Sequence, residues 1–161
     1  MTTFTMSVLA TAQKEGDRAI GANWAFFGTQ TGIGAKYQYN LTKPFRVESS
    51  FYYMFNNYLS KWDVYFNGHL LIPISGRMKI YPLAGLGIVR HEDRNVIYDE
   101  ENDNYIDSGI TAAIEWGRNM GIGIEFKVNE IFIINAEFNH KSLGQRRNSD
   151  YLSIGLIYRL K

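Results

Sequence analysis

The chain contains 161 residues, a length that suits a single compact domain. Its formal net charge is +1 and it lacks basic segments interleaved with aromatic residues, so no nucleic-acid partner is expected. Because the chain has no cysteine, disulfide bonds, thiolate metal sites and cysteine catalysis are excluded. No segment approaches the roughly 18 consecutive apolar residues of a membrane-spanning helix, whereas barrel strands alternate in polarity and fit this composition.

The first twelve residues differ from the rest of the chain. They are uncharged and fairly apolar, and they end on the small-x-small sequence Ala10-Thr11-Ala12, which resembles a signal-peptidase site. Because a positively charged start and a full apolar core are lacking, residues 1–12 are interpreted as the remnant of a signal peptide. A disordered N-terminus is the alternative. The predicted domain spans residues 13–161.

Apolar residues recur at every second position along the whole chain. In MGIGIEFKV, residues 120–128, every even position is apolar and every odd position is glycine or charged. A period of two predicts β-strands with one apolar face, and most segments reach the 9–11 residues of a tilted membrane strand. The eight predicted strands are residues 19–28, 31–41, 45–56, 61–73, 78–90, 110–128, 131–141 and 150–160.

The connections between these segments alternate in length. The predicted tight turns are residues 42–44, 74–77 and 129–130. The predicted longer links are residues 56–60, 91–109 and 142–149, while the first link, residues 28–30, is also short. Short turns at one end and long loops at the other are typical of outer-membrane barrels.

The apolar face carries many large rings. An eight-stranded barrel is only just wide enough for modest side chains, and protein interiors pack at crystal-like density, so these rings are predicted to project outward into lipid. The predicted lipid-facing aromatic residues are Trp24, Phe26, Tyr37, Tyr39, Phe45, Phe51, Tyr53, Phe55, Trp62, Phe66, Trp116, Phe126, Phe132, Phe138 and Tyr158.

The opposite face combines small residues with charges of both signs, which suits a narrow lumen filled by paired ions. The predicted luminal charge network comprises Lys36, Arg46, Glu48, Asp63, Lys79, Glu115, Glu125, Lys127, Glu137 and Arg159. A soluble ligand-binding barrel or two-sheet sandwich is an alternative, because two inner faces hold more rings than a closed barrel.

Three stretches carry a family resemblance: GIGAKYQYNLTKPFRVESSFYY, YPLAGLGIV and NMGIGIEFKVNEIFIINAEFNH. They resemble the proline–aromatic–x–x–AGxG strand and the GxGxEYRLxDxxxLxAEY hairpin of the small outer-membrane β-barrel family of Gram-negative bacteria. These are porin-like barrels related to the OmpA membrane domain and OmpX. The resemblance implies an all-β, eight-stranded, antiparallel up-and-down transmembrane β-barrel in the cell outer membrane, and it does not indicate an activity.

His140 and Ser142 form the one candidate catalytic pair. They lie two apart on one strand face, and acyl transfer requires a base adjacent to a hydroxyl nucleophile. The pair resembles the His-x-Ser-Asn motif of the lipid A deacylases, although Leu143 replaces the asparagine. No acidic residue to orient the imidazole is expected on the following strand. The even-numbered positions of that strand read Leu152, Ile154 and Leu156. A polar rim is therefore the favoured interpretation.

Other polar features have simpler interpretations. The acidic run of residues 99–103 could bind a divalent cation but lacks the spacing of an EF-hand, so a solvated loop is favoured. Its apolar neighbours suggest that this loop extends the hairpin; they are Val96, Ile97, Tyr98, Tyr105 and Ile106. Arg146 and Arg147 could contact lipopolysaccharide phosphates. No metal or cofactor is predicted.

The sequence therefore predicts a non-enzymatic outer-membrane barrel with a side-chain-filled lumen and a role in envelope integrity, surface interaction or limited passage of small solutes. The expected partners are outer-membrane lipid and lipopolysaccharide, with an extracellular partner at the loop of residues 91–109. The expected oligomeric state is a monomer.

Overall fold

The computed structural model describes residues 15–28, 30–55, 61–99, 104–143 and 147–160. The predicted signal-peptide remnant, residues 1–12, lies outside these residues. The strands are β1 (Arg18–Phe27), β2 (Gln30–Asn40), β3 (Phe45–Phe55), β4 (Lys61–Leu70), β5 (Ile72–Pro73), β6 (Met78–Asp99), β7 (Asn104–Lys127), β8 (Phe132–Leu143) and β9 (Arg147–Leu160). Within the described ranges, no helix is long and apolar enough to cross a membrane.

The strands form one closed antiparallel sheet. The short β5 continues β4 after Leu71 and pairs with β6, as β4 does. The circumference of the barrel therefore comprises eight strands. Closure follows from β1, which pairs with both β2 and β9. The prediction of an all-β, eight-stranded up-and-down barrel is confirmed, and the alternative of a two-sheet sandwich is wrong because a single sheet closes on itself.

The strands are staggered around the barrel. A line of directly paired residues that leaves β9 at Asn148 passes through every strand and returns to β9 at Tyr158, ten residues further along. Stagger of this kind accompanies strand tilt. At a tilt of about 40°, each residue adds about 2.5 Å of height, so ten residues span about 25 Å, the height of an outer-membrane apolar band.

Two predicted loops are largely strand. Residues 91–109 were predicted as a long link that could extend the hairpin, and β6 and β7 do stay paired up to Asp99 and Asn104, with a register shift between Arg94 and Val96. Residues 142–149 likewise contain the end of β8 and the start of β9. The apolar period fades in these segments because strand pairing above the membrane needs no apolar face.

Among the described residues, the outer part of the β6–β7 hairpin pairs with no other strand of the barrel wall. Pairing between β4 and β6 ends at Arg90, and pairing between β7 and β8 ends at Gly117. Residues 91–99 and 104–116 therefore form a two-stranded extension, called here the β6–β7 ribbon. It rises from the end of the barrel opposite the three tight turns.

Side chains alternate between the two faces of the wall. In β3, for example, Phe51 is exposed whereas Ser50 and Tyr52 are buried. Most of the predicted lipid-facing aromatic residues are exposed on the outward face, and three on the same face are half-buried: Tyr39, Trp62 and Phe132. The exposed members are Trp24, Phe26, Tyr37, Phe45, Phe51, Tyr53, Phe55, Phe66, Trp116, Phe126, Phe138 and Tyr158.

The lumen also holds five aromatic side chains, which the sequence argument did not place there: Phe27, Tyr52, Tyr65, Tyr81 and Tyr151. Glycines on the neighbouring strands leave space for these rings. A Cβ added at Gly123 would lie 2.3 Å from the Tyr81 ring, and one added at Gly34 would lie 2.5 Å from the ring of Tyr52. The small inward residues therefore accommodate rings as well as long charged side chains.

Polar side chains fix the tight turns. The Asn129 side-chain oxygen accepts hydrogen bonds from the backbone N–H groups of Ile131 and Phe132, each at 2.8 Å. In the same turn, Lys127 donates to Glu130 at 2.7 Å, which lowers the pKa of the Glu130 carboxyl below its ordinary value. Such local bonds favour the turn over other backbone conformations.

Candidate functional site

The first part of a luminal ion cluster is centred on the Glu125 carboxylate. Arg46 donates from Nη1 to Glu125 Oε2 at 2.8 Å, and Lys79 Nζ lies 3.4 Å from the other oxygen of Glu125. Arg46 comes from β3, Glu125 from β7 and Lys79 from β6, so the contacts cross the barrel as well as its wall. Both Arg46 and Glu125 are buried, and charges in such a setting require close partners.

The second part of this cluster surrounds Lys36. Its ammonium group bonds to Glu137 and lies 3.3 Å from Glu48. Gln38 donates to Glu48 at 2.8 Å, and the Tyr81 hydroxyl donates to Glu137 at 2.7 Å. Each carboxylate therefore has a cation and a neutral donor, which offsets the cost of removing it from water.

His69 joins the two parts. Its Nδ1 accepts a hydrogen bond from Arg46 Nε at 3.3 Å, because arginine can only donate. The imidazole stacks on Tyr81 with ring centroids 4.9 Å apart, and the Arg46 guanidinium lies 4.9 Å from the centroid of the same tyrosine. The nitrogen of His69 that faces Arg46 is thus in its neutral, accepting form.

A separate ion pair lies nearer the ribbon end of the barrel. Lys141 of β8 bonds to Asp63 of β4, and these side chains are 3% and 0% exposed. The Lys141 ammonium also lies 4.2 to 5.2 Å from the centroids of four rings: Phe27, Tyr52, Tyr65 and Tyr151. The sequence analysis missed Lys141, although it follows Glu137 and Asn139 at the inward period of two.

Amides occupy the space between the two ion clusters. Asn119 Nδ2 donates to the side-chain oxygens of Asn67 and Asn139, each at 3.1 Å. All three side chains are buried. The lumen is thus filled in succession by charged, amide and charged layers, with rings packed among them.

Three residues of the predicted luminal network lie apart from these clusters. Lys127 pairs with Glu130 at the turn end of the barrel, and Arg159 donates to Asp17 at 2.6 Å at the same end. Glu115 lies ten residues from Glu125 along β7, towards the ribbon. The pattern gives the face of each residue but not its height, which depends on the stagger of the strands.

On the outside of the wall there is a notch of about 530 Å³, lined by Leu86, Trp116, Gly117, Arg118, Ser142 and Leu143. Direct pairing places Arg118 between Leu86 of β6 and Ser142 of β8. The notch lies where β7 loses its β8 neighbour. Arg118 is nine residues from the end of β7 at Lys127, or about 23 Å above it at about 2.5 Å per residue.

His140 and Ser142 both lie on the outward face beside this notch. The expectation that the following strand offers no acidic partner is wrong, because Asp150 is paired directly with His140. His140 Nδ1 lies 2.6 Å from Asp150 Oδ1, so Nε2 is the ring nitrogen that does not contact Asp150. Because β9 was predicted to begin at residue 150, Asp150 lay at the very end of the predicted strand and was not recognised as the partner of His140. Among the described residues, no hydrogen bond joins Ser142 to His140.

Two further sequence candidates lie largely outside the described residues. These are the acidic run of residues 99–103, beyond the Asp99 backbone, and the Arg146 and Arg147 side chains. Within the described part of the chain, no group of three or more histidine or acidic side chains is arranged to hold a metal ion.

Comparisons with known proteins agree with this barrel architecture. The sequence profile described as outer membrane protein beta-barrel domain matches residues 1–159. The chain belongs to this family. This outer-membrane barrel protein is accordingly located in the outer membrane. A search of curated proteins finds no match.

Three solved structures illustrate the shared fold. The N-terminal β-barrel domain of Pseudomonas aeruginosa OprF is 13% identical, with a TM-score of 0.69, and the match covers 92% of this chain and 100% of that one. Ail, the attachment invasion locus protein of Yersinia pestis, is 16% identical, with a TM-score of 0.61 and coverage of 91% and 99%. Neisserial surface protein A is 12% identical, with a TM-score of 0.62 and coverage of 89% and 96%.

Proposed function

We propose that this outer-membrane barrel is a non-enzymatic protein that supports envelope integrity and presents the β6–β7 ribbon for surface interaction. The observation that carries this proposal is the filled lumen. Buried ion pairs, an amide layer and five rings occupy the interior, and eight strands leave little room beyond their own side chains. Any passage of small solutes is therefore limited and does not use a permanently open pore.

The test combines gel mobility with conductance. Protein refolded in detergent should migrate differently before and after heating, which reports a closed barrel, and should show no steady conductance in a planar bilayer. A variant in which Arg46 and Glu125 are both replaced by alanine removes one central ion pair and serves as the comparison. A steady ion current through the unaltered protein would contradict a filled lumen.

The ribbon supports the surface-interaction part of the proposal. Its two strands extend past the barrel wall at the end opposite the tight turns, where outer-membrane barrels carry their extracellular loops. Ail is named for attachment and invasion and Neisserial surface protein A for its surface location. Binding of a fluorescent protein to cells or cell-surface polysaccharides, with and without residues 91–109, tests this role.

Membrane lipid and lipopolysaccharide are the proposed partners of the outward face. The exposed aliphatic and aromatic side chains, such as Phe66 and Trp116, would otherwise contact water over a continuous band. The chain is proposed to act as a monomer, because the barrel closes without a second copy.

A lipid A deacylase-like ester hydrolase is a second candidate function, favoured by the His140–Asp150 contact. The 2.6 Å contact would hold the imidazole with Nε2 available as a base for the Ser142 hydroxyl. The serine oxygen would attack an ester carbonyl, and the proton would pass through His140 to the leaving alcohol. Water would then hydrolyse the acyl-serine and restore the enzyme.

Release of acyl chains from lipid A by the refolded protein tests this candidate. If the hydrolase exists, H140N and S142A should each abolish release, while N148A, at a neighbouring outward position, should retain it. Intact lipid A after prolonged incubation with the unaltered, heat-modifiable barrel would dismiss hydrolysis and leave the structural role standing.

A further inference from the structure

Arg118 is an isolated charge on an otherwise apolar strand face. The outward positions of β7 on either side of it are Trp116 and Met120, followed by Ile122 and Ile124 towards the turns. Its side chain is exposed and makes no hydrogen bond or ion pair with the described residues. At about 23 Å above the turn end, it lies near the outer edge of an apolar band about 25 Å tall, where lipid headgroups are found.

The notch beside Arg118 combines apolar walls with this charge. Trp116, which lies just beyond the last residue of β7 that pairs with β8, is 77% exposed. Leu86, which is paired directly with Arg118, is 61% exposed. Ser142, directly paired with Arg118, supplies a hydroxyl on the same face. A cavity of about 530 Å³ is in the range of ligand sites and is larger than one phosphate group requires.

We propose that this notch binds the phosphorylated sugar headgroup of a glycolipid in the outer leaflet. The Arg118 guanidinium would bind phosphate oxygens in a bidentate manner, and the Ser142 hydroxyl would donate to the same group. The Trp116 ring would pack against the sugar, and the acyl chains would lie along Met120 and Ile122. The inference rests on the proposed lipid contact of the outward face and requires no reaction at Ser142.

Charge complementarity favours this occupant. A cation with no counter-charge among the described residues, placed at headgroup height, attracts an anionic lipid. The apolar residues below it match acyl chains rather than a hydrated protein surface. A free phosphate ion would use Arg118 but would gain nothing from Trp116 or Leu86. A glycolipid can contact the Arg118 guanidinium and the apolar walls of the notch at the same time.

The test titrates bis-phosphorylated lipid A into phosphatidylcholine vesicles that contain the refolded protein. With Trp24 and Trp62 replaced by phenylalanine, Trp116 fluorescence reports occupancy of the notch. We expect R118Q to raise the titration midpoint about tenfold, the effect of losing one charge-assisted contact. The matched control R77Q removes the same charge from a turn at the other end and should leave the midpoint unchanged.

The proposal would be overturned by equal shifts in R118Q and R77Q, by equal binding of dephosphorylated lipid A, or by full competition by millimolar inorganic phosphate. Heat-modifiable mobility of every variant keeps folding separate from binding. A heat-modifiable unaltered protein that does not respond to lipid A overturns the site alone. Loss of heat-modifiability in the unaltered protein would overturn the proposed barrel function as well.

Discussion

Replacing Lys141 by methionine probes the buried ion pair at the ribbon end of the lumen. Asp63 is fully buried, and Lys141 is its cationic partner. Methionine keeps most of the side-chain volume among the four surrounding rings but removes the charge. The K141M variant therefore leaves a carboxylate buried among aromatic groups without its counter-charge.

The expected magnitude follows from the desolvation of Asp63. Removing one member of a buried ion pair costs about 3–5 kcal/mol, and loss of the cation–π contacts with the rings adds to the effect. We expect K141M to lower the free energy of unfolding by about 4 kcal/mol. The double variant D63N/K141M removes both charges and should recover most of this loss, to within about 1 kcal/mol of the unaltered protein.

The assay is equilibrium unfolding in urea with the barrel in lipid vesicles, followed by tryptophan fluorescence and gel mobility. K43M, in the exposed turn before β3, is the matched control and should leave the unfolding midpoint unchanged. The double-mutant cycle, completed by the single D63N variant, should give a coupling free energy of at least about 3 kcal/mol between Asp63 and Lys141. Additive effects, with coupling below about 0.5 kcal/mol, would refute the inference that the two charges stabilise each other.

Three further predictions concern the wall and the ribbon. G123A should destabilise the barrel by about 1–3 kcal/mol in the same unfolding assay, because the added methyl group meets the ring of Tyr81. F138K should cost about 2–4 kcal/mol in lipid vesicles, whereas a lysine at Asn148, near the outer edge, should cost less than about 1 kcal/mol. Replacing residues 93–111 by a short turn should leave heat-modifiable mobility and the urea midpoint unchanged, because these residues do not pair with β4 or β8.

The strand pattern could be predicted because it depends on local alternation. Lipid outside and a packed lumen inside impose a period of two, and residues such as Pro44 and Asn129 mark the turns. The same reasoning was incomplete in the ribbon. Paired strands in water need no apolar face, so the polar segment after Arg90 was predicted as a long link, and only its few apolar residues suggested a longer hairpin.

The detailed contacts of the lumen and of the outer notch depend on stagger between strands. Lys141 and Asp63 are 78 residues apart in sequence, and no local pattern shows that they meet. The same is true of Arg118 and Ser142, which the β7–β8 register places side by side. The contact between His140 and Asp150 was missed for a simpler reason, because β9 begins three residues earlier than predicted.

The central claim is that apolar side chains face lipid while charged side chains fill the lumen. Spin labels attached to single cysteines at successive positions of β8, from Ile133 to Phe138, test it directly, because the native chain contains no cysteine. Accessibility to lipid-soluble oxygen should alternate with a period of two and be high at the even positions. High oxygen accessibility at the odd positions, or no alternation, would contradict the account.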